Sequence, residues 1–76
     1  SGTRIIIAGS GMVNGGRVLH HLAQWLPHEE TTVLFVGYQG EETRGARIQA
    51  GEPEIRIFGR MIPNRAHRET MSGLSA

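Results

Sequence analysis

The sequence predicts an α/β fold: a small, mainly parallel sheet with two helices, Rossmann-like in its βαβαβ order, with a possible C-terminal strand. Three features point to it. Two short β-branched runs, Arg4-Ile5-Ile6-Ile7-Ala8 and Thr32-Val33-Leu34-Phe35-Val36, lack the alternation of a half-exposed strand and read as strands covered on both faces. An amphipathic segment lies between them. About 30 residues hold all three, the length of a βαβ unit with a right-handed crossover.

Both runs end at glycine, Gly9 and Gly37. In the helix between them, Val18, Leu19, Leu22, Trp25 and Leu26 share one side of a 3.6-residue wheel, and Arg17, His20, His21 and Gln24 share the other. Pro27 disfavours helical geometry at Leu26 and ends the helix. A shorter helix runs from about Glu42 to Ala50, weakened by Gly45 and capped by Gly51. Glu54-Ile55-Arg56-Ile57-Phe58 alternates and reads as a strand nearer an edge. Gly59 to Asn64 carries turn chemistry, and Arg65 to Met71 is the possible fourth strand. Trp25 and Phe58 are expected in the core, as aromatic side chains usually are.

The 76 residues form one α/β unit, expected to be an incomplete piece of a larger domain. A domain this small buries only roughly 60–65% of the surface its unfolded chain exposes. Three parallel strands with two helices cover both sheet faces only if the helices split evenly, so missing neighbours are expected to complete the core. Ser1-Gly2 reads as a tag remnant, and the chain has no initiating methionine. There is no cysteine, so there is no disulfide, no thiolate metal site and no thiol nucleophile. That composition fits a cytoplasmic setting. No apolar run approaches the roughly 20 residues that span a membrane.

The net charge of +1 conceals an uneven distribution. All eight basic residues are arginine, and lysine and aspartate are absent. His28 to Glu42 holds four glutamates and no arginine; Thr43 to Arg68 holds six arginines against Glu52 and Glu54. A basic C-terminal half suits a polyanionic partner and equally suits a solvated surface.

The segment Gly9-Ser10-Gly11-Met12-Val13-Asn14-Gly15-Gly16-Arg17 joins the first strand to the first helix. Glycines let backbone N–H groups approach a phosphate, the helix N-terminus adds unpaired donors, and Arg17 offers a bidentate contact. The alternative is a tight turn whose glycines serve packing alone. A dinucleotide site is disfavoured. Gly9-x-Gly11-x-x-x-Gly15 is one residue longer than the G-x-G-x-x-G spacing, and Val36-Gly37-Tyr38-Gln39 has no acid to hold a ribose. His20 and His21 diverge by about 100° on a helix and suit solvent better than one shared metal ion. His28 and His67 are isolated and read as surface residues. Tyr38, beside Gln39 at the ligand-binding end of a strand, either packs locally or stacks on a base.

Three blocks together carry a resemblance. They are Ile5-Ile6-Ile7-Ala8-Gly9-Ser10-Gly11-Met12 with Gly15-Gly16-Arg17-Val18-Leu19-His20-His21-Leu22; Thr32 to Gln39; and Glu54 to Gly59 with Ile62-Pro63 and Gly73-Leu74-Ser75-Ala76. The chain resembles the β-CASP branch of the metallo-β-lactamase-fold RNA-processing nucleases over nearly its whole length after Thr3. The resemblance implies a late β-CASP segment of a zinc-dependent phosphodiesterase, with single-stranded RNA as partner. Carried over by position, Ser10, Gly11, Met12, Arg17, Tyr38 and Gln39 face the RNA cleft, and Gly15 and Gly16 complete the phosphate-binding turn. No catalytic residue, metal ligand or cofactor is expected within this chain; zinc is expected in the rest of the parent protein. In the family a Ser-Ala pair precedes an active-site histidine, and Ser75-Ala76 ends one residue short of it. Glu42 and Ala46 depart from the family's glycine and arginine, and Glu42 adds a charge that repels RNA. The alternative function is an autonomous nucleic-acid-binding or interaction module.

Overall fold

The computed structural model describes residues 2–9, 16–37, 39–41 and 43–71. Their elements run β1 (Arg4–Ala8), α1 (Gly16–Trp25), β2 (Thr31–Val36), α2 (Arg44–Ala50), β3 (Glu54–Ile57), β4 (Arg60–Pro63) and β5 (His67–Met71). The fold is α/β, as the sequence predicts. The parallel sheet has the order β1-β2-β5, and β3 and β4 form a separate antiparallel pair.

The third parallel strand is therefore β5 and not the alternating segment that begins at Glu54. A two-residue turn, Phe58-Gly59, reverses the chain and pairs Ile57 with Arg60. Both turn residues have positive φ, 52° and 75°, as a type I′ hairpin turn requires. The expected long turn over Gly59 to Asn64 thus shortens, and Arg60–Pro63 is a strand. Phe58 leaves the core as a consequence: it is 52% exposed at the hairpin tip. A bulky residue in the left-handed region costs about 1–2 kcal/mol, which glycine or asparagine there avoids.

The core lies on one face of the sheet. Ile6, Ala8, Val33 and Phe35 point into it from β1 and β2. Leu19, Leu22 and Leu26 meet them from α1 and its exit, Ile48 from α2, and Ile55, Ile57 and Ile62 from the hairpin. Each fully buried Leu, Ile or Phe contributes about 1.5–3 kcal/mol relative to exposure. Both helices share that face for a topological reason. The crossovers β1-α1-β2 and β2-α2-β3-β4-β5 step across the sheet in the same direction, and right-handed crossovers that do so pack on one side.

The opposite face is open. Ile5 is 66% exposed and Ile7 60%. In register with them stand Thr32 and Leu34 on β2, half-buried, and His67 and Glu69 on β5, exposed. Val36 and exposed Met71 extend the row. The continuous apolar runs predict cover on both faces, but the described residues supply it on one.

Capping and turn contacts close the elements. Thr43 caps α2, its Oγ1 accepting from the Ala46 amide at 3.1 Å. Gly51, at φ 82°, ends α2 in the left-handed region, and its amide reaches back to the last turn. The Leu26 carbonyl accepts from both the Arg65 and Ala66 amides at 3.0 Å, tying the exit of α1 to the lead-in of β5.

Candidate nucleic-acid interface

Parallel pairing sends the chain out of β1, β2 and β5 at the same end of the sheet. Ala8 pairs with Phe35, and Val36 with Met71. In open α/β sheets this carboxyl end is where ligands bind. The glycine-rich segment leaves β1 here, and the Gly37 turn leaves β2 beside it.

Of the sequence-predicted contacts, the structure places Gly16, Arg17 and Gln39. Ser10, Gly11, Met12, Gly15 and Tyr38 lie outside the described residues. Gly16, at φ 69°, opens α1, and Arg17 is exposed in the first helical turn. Arg17 therefore stands where the glycine-rich segment meets a helix N-terminus, a position that favours anions.

Gln39 has a different posture. It is only 7% exposed, and its Nε2 donates to the Gly9 carbonyl across a long 3.5 Å. It braces the exit of β2 against the exit of β1. Next to it, Thr43 Oγ1 donates to the Gly40 carbonyl at 2.6 Å. Gln39 thus links the residue after β1 to the segment after β2 by one long contact.

Arginines gather toward the hairpin. Arg44 Nε donates to the Arg56 carbonyl at 3.0 Å, fastening the start of α2 to β3. Arg56 and Arg60 are exposed. His20, exposed on α1, packs against Phe58 with ring centroids 4.8 Å apart and planes inclined by 45°. Sequence reasoning missed this pair. The sequence signal for it is weak: Gly59 after the Ile55-x-Ile57 alternation marks a turn, but Phe-Gly is not a dipeptide that favours a two-residue hairpin.

Two further histidines, His28 and His67, make local contacts. His28 lies 5.4 Å from the Trp25 ring, centroid to centroid, and Trp25 also carries the Arg4 guanidinium 3.3 Å over its centroid. Trp25 is half-buried against the core, as expected of it. His67 Nε2 meets Glu69 Oε2 at 2.5 Å on the open sheet face. Among the described residues, no three or more His, Cys, Asp or Glu side chains gather as a metal site. The described donor set does not fit a zinc centre, and no step through zinc is derived for this chain. No described helix is long and apolar enough to cross a membrane.

The described residues combine a parallel sheet, a helix that starts at its carboxyl end and an uncovered opposite face. Comparison with known proteins gives the class. The Beta-Casp domain family model matches residues 1–48. Ribonuclease TTHA0252 of Thermus thermophilus is 45% identical over 74 residues, which cover 97% of this chain and 17% of that protein. Transcription termination factor FttA of Methanocaldococcus jannaschii is 38% identical over 76 residues, covering 93% of this chain and 12% of that protein. The FttA of Methanosarcina mazei is 43% identical over 56 residues, covering 74% of this chain and 9% of that protein. The chain belongs to the β-CASP family of RNA-processing nucleases, and it spans less than a fifth of the length of these relatives.

Proposed function

We propose that this chain supplies part of the RNA-contacting face of a zinc-dependent RNA-processing nuclease, and that it carries no catalytic group itself. The observation behind this reading is the convergence of the β1 and β2 exits, braced by Gln39 on Gly9, with Arg17 at the helix entrance beside them. Backbone donors at such a turn, one arginine and an anion-favouring helix start suit a phosphate of the RNA backbone. The relatives, a ribonuclease and a transcription termination factor, agree with an RNA substrate.

Ser10, Gly11, Met12, Gly15, Gly16 and Tyr38 belong to the same proposed contact surface, with Gln39 as the residue that positions it. The metal chemistry is assigned to the remainder of the protein, where zinc would activate water and stabilise the leaving oxygen. An autonomous binding module is less well supported, because the open face of Ile5 and Ile7 leaves apolar surface that a self-contained domain covers.

The test is single-stranded RNA binding by the full-length protein, measured as a function of salt. Binding that weakens steeply with salt, and weakens again on Arg17→Ala, is expected. RNA affinity indifferent to salt and to Arg17 would overturn the reading.

A further inference from the structure

We infer that Phe58, backed by His20, is a stacking platform for one base of single-stranded RNA. This extends the proposed RNA face from the start of α1 to the tip of the β3–β4 hairpin, and it rests on that reading of the chain. Phe58 occupies φ 52°, a conformation that bulky residues seldom adopt and that glycine or asparagine adopts freely in this turn. The core gains little from it, since the ring is 52% exposed while Ile57 and Ile62 on either side of the turn are buried. A strained, exposed aromatic side chain is a functional signal.

Its surroundings identify the ligand. His20 lies one helical turn beyond Arg17 on α1, so the ring pair adjoins the helix entrance where the phosphate contact is proposed. Arg60 follows across the turn, exposed, and Arg56 precedes it, also exposed. No acidic residue stands in the sequence between Glu54 and Glu69. An aromatic ring flanked by arginines is how single-stranded nucleic acid is held without reading its sequence: charges track the backbone and a base stacks on the ring.

The test uses the full-length protein and a fluorescent 2′-O-methyl oligouridine, which resists cleavage, beside an abasic oligonucleotide of equal length. Phe58→Asn keeps the turn, because asparagine suits positive φ, and it removes the ring. The expected result is about tenfold weaker binding of the oligouridine, unchanged binding of the abasic strand, and wild-type binding by Phe58→Trp. Unchanged oligouridine binding by Phe58→Asn, with a loss on Arg17→Ala, would overturn the platform and leave the RNA face standing. A fall in thermal midpoint for Phe58→Asn with RNA affinity intact would also overturn it, by showing that the ring packs on another part of the protein. Absence of RNA binding by the wild type would remove the underlying reading as well.

Discussion

The side-chain amide of Gln39 donates to the backbone carbonyl of Gly9, so the ends of β2 and β1 are linked by one partly buried contact. The two residues are thirty positions apart in the sequence and adjacent at the carboxyl end of the sheet. Gln39→Ala removes the donor and is expected to lower stability by about 0.5–1.5 kcal/mol. Urea unfolding of the chain reads this as a lower midpoint at unchanged slope. A wild-type midpoint would show that the contact contributes nothing.

Asn64 is the second buried brace. Its Nδ2 donates to the Glu52 carbonyl at 2.8 Å and the Ile48 carbonyl at 3.3 Å, and its own amide donates to Pro53 at 2.8 Å. It thus joins the end of α2 to the exit of β4. Asn64→Ala should cost about 1–3 kcal/mol, the penalty for leaving buried carbonyls unpaired. Asn64→Asp should cost more, since it sets a carboxylate against those same oxygens. Denaturation of the two variants ranks them, and an aspartate as stable as wild type would refute the assigned donors.

The open sheet face predicts how the isolated chain behaves. With Ile5, Ile7 and Met71 exposed, the 76-residue chain should bind a hydrophobic dye. Ile5→Thr with Ile7→Thr should reduce that binding while keeping β-branched side chains in β1. Far-ultraviolet circular dichroism checks that the secondary structure survives. Dye fluorescence at the level of a closed domain would mean that this face is covered after all.

Arg17 should act as a charge. Loss of one phosphate contact lowers the slope of log affinity against log salt by about 0.7 for a single strand. Arg17→Ala in the full-length protein should show that change equally for RNAs of different sequence. A sequence-dependent loss would instead assign Arg17 to a base.

Much of this architecture is legible in the sequence, and the exceptions have physical causes. The β-branched runs of β1 and β2, the wheel of α1 and the glycine that ends α2 each specify their element locally. The third parallel strand is not legible that way. His67–Met71 reads H-R-E-T-M, with no apolar run, because all five residues are exposed on a thinly covered edge. Glu54–Ile57 reads better as a strand but pairs only with its own return, since Phe58-Gly59 turns the chain in two residues. The open face is equally invisible: Ile5 and Ile7 are apolar as if buried, and only the direction of both crossovers shows that the helices cover the other side. At the candidate site, the exposure of Arg17 follows from its helix position. The inward posture of Gln39 does not, because a glutamine beside a ligand-binding strand end suits a brace or a contact equally well.

The most direct measurement is ultraviolet cross-linking of single-stranded RNA to the full-length protein, followed by tryptic digestion and mass spectrometry. Arginine positions place the glycine-rich segment in the peptide of residues 5–17 and the hairpin tip in that of residues 57–60. Cross-links in both peptides are expected if the start of α1 and the hairpin tip form one RNA face. Efficient cross-linking elsewhere in the protein, with neither peptide modified, would contradict it.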